Sequence, residues 1–144
     1  MPLVSRNAIK LLEMEQHFLQ GQLEEGVLSG LESTNAKTRK KVAKLLYTSF
    51  DTNLARKISP RITRYLSDKS SNVRANVAWC LGVSREKKYS KHLLPLLKDK
   101  NFLVRHFAAI SLARFGRLEG LVQLNKTLSK WQEHDTGETV AALE

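Results

Sequence analysis

Apolar residues recur along most of this chain at spacings of three, four and seven, which is the period of a helix with one buried face. The clearest run is Leu23, Val27 and Leu31; it repeats as Ile58, Ile62 and Leu66, and again as Tyr89, Leu93 and Leu97. A short polar stretch follows each run: Ser33-Thr34-Asn35, Asp68-Lys69-Ser70-Ser71 and Asp99-Lys100-Asn101. A second apolar series comes next, holding Val42, Leu45 and Leu46, then Val73, Val77 and Leu81, then Val104, Ala108 and Leu112. Strand-like alternation is thin, and neither Asn-Gly nor Asp-Gly occurs as a hairpin turn. The pattern predicts an all-α chain built from helix pairs.

Aligned on itself, the chain superimposes three segments without gaps around an arginine: Arg39, Arg74 and Arg105. Each has a Leu eight residues before it (Leu31, Leu66, Leu97), an Ala four after (Ala43, Ala78, Ala109) and a Leu seven after (Leu46, Leu81, Leu112). Asn35, Ser71 and Asn101 are the expected N-caps of the second helices, because a short side-chain oxygen accepts from a backbone N–H that lacks a partner in the first turn. The predicted helices run over 6–20, then in pairs over 22–32 with 36–49, 53–67 with 72–83, and 86–98 with 102–115. A last helix covers 118–132, with Leu124, Leu128 and Trp131 on one face. Pairs this short cannot bury their apolar faces alone, so they must stack, and the small repeated Ala permits close approach.

Two of these units resemble HEAT repeats of the short, lyase-like type: Asp68-Lys-Ser-Ser-Asn-Val73-Arg74-Ala-Asn-Val77-Ala78-Trp-Cys-Leu81-Gly82 and Asp99-Lys-Asn-Phe-Leu-Val104-Arg105-His-Phe-Ala108-Ala109-Ile-Ser-Leu112. The unit around Arg39 departs from the pattern, with Ser33 in place of the Asp and Thr38 in place of the Val. The resemblance covers roughly residues 23–116. It implies a right-handed α-α superhelix of about three helix pairs (22–50, 51–84 and 85–116), with an N-terminal helix over 1–21, a C-terminal capping helix over 117–133 and a tail over 134–144. It also implies that first helices form the convex face and second helices the concave face. A structural ladder in which Arg39, Arg74 and Arg105 meet Asp68 and Asp99 of neighbouring units is a further implication. The acidic, polar terminal helices are expected to close the two ends of the stack.

Charge adds the second feature. Residues 1–34 carry 2 Lys/Arg against 5 Asp/Glu, residues 35–117 carry 20 against 4, and residues 118–144 carry 2 against 5. A block of net +16 thus lies between ends of net −3 each, and such a field attracts acidic protein surfaces or nucleic acid. Helical periodicity sorts the block by face. Lys40, Lys41 and Lys44, then Ala75, Asn76 and Trp79, then His106, Phe107 and Ile110 point away from the apolar seam and are expected to line the concave surface. Trp79 admits a second reading, in which it leans sideways and fills a gap between repeats. Arg56, Lys57, Arg61 and Arg64, with Arg85, Lys87, Lys88 and Lys91, are expected to form a solvated basic surface on the convex side.

Motifs for catalysis are missing. The sequence has no Gly-rich phosphate loop, no His-Glu-x-x-His and no Gly-x-Ser-x-Gly. His17, His92, His106 and His134 are scattered, and the single Cys80 has no partner for a disulfide or a zinc site, so it reads as a small core residue. No catalytic residue, metal or cofactor is expected, nor a small-molecule substrate. Apolar stretches are far shorter than the roughly 20 residues that span a bilayer, and the first residues lack the apolar core of a signal peptide. An intracellular, cytoplasmic protein without membrane insertion is the expectation. The function expected is a binding scaffold for an acidic or amphipathic segment of another protein, with DNA or RNA as the alternative ligand. The basic balance and Trp79 are similar to those of HEAT-like alkylpurine DNA glycosylases. This chain is much shorter and has no Asp beside Trp79, so that likeness extends to binding and not to catalysis.

Overall fold

The computed structural model describes residues 5–143, with side chains described as far as Gln132. Among these residues all regular structure is helical and packed in sequential pairs, an α-solenoid. The helices are α1 (Arg6–Leu31), α2 (Ala36–Thr48), α3 (Thr52–Ile62), α4 (Ser71–Val83), α5 (Ser90–Leu93), α6 (Phe102–Arg114) and α7 (Leu118–Leu143). The second helices α2, α4 and α6 lie side by side, and α7 packs on α6. One continuous core runs between the layers, through Val27, Leu31, Leu46, Ile58, Ile62, Val73, Val77, Leu81, Leu93 and Leu112. Burying each such side chain contributes about 1.5–3 kcal/mol, which makes the shared seam the main source of stability.

Several predicted boundaries are corrected. The two helices expected over 6–20 and 22–32 are one helix, α1, because neither a proline nor a capping turn interrupts the Leu-, Gln- and Glu-rich stretch around Gly21. The first helices expected over 53–67 and 86–98 are not continuous α-helices. After Ile62 the chain tightens into a 3-10 turn over Thr63–Ser67, and α5 is a single turn between 3-10 segments at Lys87–Tyr89 and Leu94–Lys98. Pro95 cannot donate a backbone hydrogen bond, so α5 ends just before it. The N-cap of α4 is Ser70, with Ser71 already helical. Asn35 and Asn101 cap as expected, accepting from Lys37 N at 2.9 Å and from Leu103 N at 2.9 Å. The last helix extends to Leu143, through most of the expected tail.

The terminal helices are less polar outside than anticipated. On α1 the side chains of Ile9, Leu11, Leu12, Met14, Phe18 and Leu19 are exposed, and only Val27, Leu28 and Leu31 enter the core. On α7 the docked residues are Gly120 and Thr127, while Leu128 and Trp131 of the expected apolar face are exposed and Leu124 is half-buried. Gly120 is required by proximity. A Cβ there would lie 2.6 Å from the carbonyl oxygen of Ala109, so α7 sits directly on the backbone of α6.

What sets the stacking register is a set of arginines near the starts of the second helices. Arg74 Nη1 donates to the carbonyl of Asp68 in its own turn at 2.8 Å, while its Nε and Nη2 donate to the Asp99 carboxylate of the next unit at 2.9 and 3.1 Å. Arg39 repeats the arrangement, from Nη1 to Ser33 O at 3.0 Å and from Nε to Asp68 Oδ2 at 2.9 Å. The carboxylates accept in turn from backbone: Ser70 N donates to Asp68 at 2.8 Å and Asn101 N to Asp99 at 2.9 Å. Each side chain of these pairs is largely buried, and the Arg74–Asp99 partners expose only 8% and 10%. The fork geometry satisfies both charges, which is what makes their burial tolerable.

Burial alone would raise the Asp99 carboxyl. The Arg74 and Asn101 hydrogen bonds, with the positive charges of Arg74 and Lys100, outweigh it and hold the group below its ordinary value of 3.8. Asp99→Ala strands the Arg74 guanidinium and is expected to cost about 3 kcal/mol in urea unfolding. Because the folded carboxyl is the stronger acid, its contribution is complete above the unfolded pKa of about 4 and is lost as pH falls through the folded value. The stability gap between the wild type and Asp99→Asn is therefore expected to be full at pH 7 and to shrink below about pH 4.

Candidate interaction surface

The second helices bring part of the basic block against a band of rings. Lys40, Lys41 and Lys44 of α2 stand exposed along one turn after another, since positions 40, 41 and 44 share a face opposite Ala43 and Leu46. They line an open groove of about 550 Å³ together with Tyr47, Asn72, Asn76, Leu103 and Phe107. Of the residues singled out by periodicity, Lys40, Lys41, Lys44, Asn76 and Phe107 thus meet in one place.

Trp79 packs against two of the rings that line this groove. Its ring centroid is 4.8 Å from that of Tyr47 on α2 and 5.0 Å from that of Phe107 on α6, both tilted, while Tyr47 and Phe107 stack at 5.5 Å with an interplanar angle of 2°. The indole is half-buried, with a ring from each neighbouring second helix against it. Arg114 lies over the other side, its Cζ 4.2 Å from the Trp79 centroid. Burial, then the charge of Arg85, lower the Arg114 guanidinium's affinity for its proton, opposed by Tyr47. A guanidinium stays charged all the same, and the aromatic face repays part of the lost hydration.

Other expected residues fall elsewhere. Ala75 is fully buried rather than on the surface, because α4 is wedged between α2 and α6 and its flank faces protein. Ile110 is half-buried. His106 stacks on Phe102 at 5.7 Å and lies 6.1 Å from Trp131, and its Nδ1 is buried without a hydrogen bond among the described residues. The rings therefore continue from Phe107 through His106 and Phe102 to Trp131 on α7. Tyr47, Arg114, Phe102 and Leu103 were not anticipated. Tyr47 follows Lys44 by three residues, so helical spacing could have found it; Arg114 depends on how α6 crosses α4.

The basic residues expected on the first-helix side are all exposed, and several of them make surface contacts. Arg56 Nε donates to the carbonyl of Ser84 at 3.0 Å and ties α3 to the end of α4. Arg61 pairs with Glu25 at 3.0 Å, Arg64 with Glu32 at 3.2 Å and Lys88 with Glu86 at 3.3 Å. Lys57, Lys87 and Lys91 are exposed, as is Arg85, which adopts a left-handed backbone at φ 58° just past α4. The acidic side of α1 thus neutralises part of this face, whereas no ion pair involves Lys40, Lys41 or Lys44 among the described residues.

Among the described residues no group of three or more His, Cys, Asp or Glu converges to hold a metal, and no helix is long and apolar enough to cross a membrane. The family model for HEAT repeats matches the chain twice in overlapping registers, over residues 24–113 and 58–141. No curated protein matches the chain.

Cys80 lies in the core, where burial pushes its thiol up to about 12. The thiolate is the reactive form. Folded protein at pH 8 is expected to resist a disulfide-exchange reagent and to react with one equivalent once urea unfolds it; rapid labelling of the native state would show the site to be open.

Proposed function

The chain belongs to the HEAT-repeat family, and from that premise we propose that it is a non-catalytic protein-binding module whose concave face holds an acidic or amphipathic segment of another protein. HEAT repeats are commonly protein-protein interaction scaffolds, and no catalytic family is identified. The observation that carries this reading is the groove in which Lys40, Lys41 and Lys44 edge a floor of Tyr47, Phe107 and Leu103. Three ammonium groups with no ion-pair partner among the described residues attract carboxylates and speed encounter, while partly exposed rings supply the apolar anchor that holds a side chain once it arrives. An amphipathic helix or an extended acidic strand presents both features at once. In this reading Trp79, with Arg114 over its ring, holds Tyr47 and Phe107 in place, and His106 and Ile110 extend the floor toward α7.

Nucleic acid is the second reading, favoured by the charge of the central block and by an exposed ring, Tyr47, beside three lysines. Phosphate neutralisation would give a steep fall of affinity with salt, and a ring beside the backbone could stack on an unpaired base.

One comparison separates the readings. A fluorescent peptide alternating Glu and Leu, and a single-stranded oligonucleotide of equal charge, are titrated against the wild type and against K40E/K41E/K44E by anisotropy. Binding of the peptide, weakened about tenfold or more by the triple reversal, is the expected result, each exposed charge pair being worth up to about 1 kcal/mol. Equal peptide affinity for both proteins would remove the assigned surface. Preferential oligonucleotide binding with a steep salt slope would replace it with the nucleic-acid reading.

A further inference from the structure

The arginine ladder ends at a residue of the wrong charge. Two positions after the Leu that closes each first helix, the chain places Ser33, Asp68 and Asp99; the same position after Leu128, another 31 residues on, holds Lys130. Arg105 adopts the pose of Arg39 and Arg74 within its own unit, its Nη1 donating to the carbonyl of Asp99 at 2.6 Å. On Arg39 and Arg74 the Nε and Nη2 edge then meets a carboxylate. On Arg105 no carboxylate among the described residues faces that edge. Instead Arg105 borders a cavity of about 530 Å³ shared with Lys126, Thr127 and Lys130, and walled by the rings of Phe102 and Trp131. Its Cζ lies 6.0 Å from the Phe102 centroid, and Trp131 is half-exposed at 6.3 Å from Phe102.

We propose that this cavity, at the open end of the ladder, is a second binding site that takes an aspartate or glutamate side chain from an acidic segment of a partner protein. The guanidinium edge is the one that holds Asp68 and Asp99 bidentately in the other units, so a carboxylate is the ligand its surroundings already select. Among the described residues that line the cavity, Arg105, Lys126 and Lys130 have no anion between them, so an arriving carboxylate relieves their mutual repulsion. Phe102 and Trp131 offer faces to the aliphatic residue beside the acid, the combination of buried ring and rim charge that concentrates binding energy. The site is separate from the groove at Lys40, Lys41 and Lys44 and stands or falls without it.

The test follows the arginine side-chain Nε–H resonances by NMR. The probe is a blocked Leu-Asp-Leu-Asp-Leu peptide with an amidated C-terminus; its Asn counterpart and inorganic phosphate serve as controls. The Arg105 signal is expected to shift saturably with the Asp peptide alone, while those of Arg39 and Arg74 stay fixed and report an intact ladder. K126E/K130E, and Lys130→Asp, which restores an acid at that position, are each expected to weaken the shift at least tenfold with the Arg39 and Arg74 signals unchanged. An unmoved Arg105 signal, an equal shift with the Asn peptide or with phosphate, or wild-type affinity in either variant would overturn the proposal.

Discussion

Each guanidinium of the ladder reaches in two directions at once, to the carbonyls of its own turn and to the carboxylate that opens the following one. Arg74 does so with Asp68 and Lys69 carbonyls on one side and Asp99 on the other, the contacts spanning 2.8 to 3.3 Å. A rigid planar fork cannot satisfy both ends unless adjacent helix pairs sit at one separation and one rotation. The apolar seam would hold the pairs together without it, since hydrophobic burial is non-directional. Direction comes from the ladder, and with it the alignment of α2, α4 and α6.

Small residues let that alignment become close. Ala43, Ala78 and Ala109 are fully buried, and the Ser111 hydroxyl donates to the Ala78 carbonyl at 2.7 Å, fastening α6 to α4. A Cβ at Gly82 would collide with Ser111, and one at Gly120 with the backbone of α6. Helices so near each other push their larger side chains to the outer surface. Tyr47, Trp79 and Phe107, on three different helices, therefore close into one cluster rather than standing as isolated rings.

The charge pattern then acquires a geometry. Glu25 of α1 and Glu32, which caps its C-terminal end, pair with Arg61 and Arg64, so the first-helix side loses part of its positive field. The lysines of α2 keep theirs, beside the rings. At the other end of the stack, Arg105 repeats the pose of its two predecessors, and no carboxylate among the described residues takes the place of Asp68 and Asp99. Both places combine cations with aromatic faces, and both suit a ligand that brings acid and apolar groups together.

The sequence by itself determined the helical class, the pairing of helices and the equivalence of Arg39, Arg74 and Arg105, because period and spacing are local properties that burial merely repeats. Lys40, Lys41 and Lys44 were legible as one exposed group for the same reason. Tertiary structure decided the rest. The unbroken course of α1 is an exception, because the residues around Gly21 carry no stop signal and nothing packs on that glycine, so its continuity too is local. Only packing buries Ala75, which local period assigned to the surface, because a central helix in a stack has neighbours on both flanks and a single amphipathic period cannot count them. The contact of Arg114 with Trp79, 35 residues apart, and the shared cavity of Arg105, Lys126 and Lys130 arise where separate elements cross. No spacing along the chain encodes such a crossing; the stacking geometry set by the seam and the ladder does.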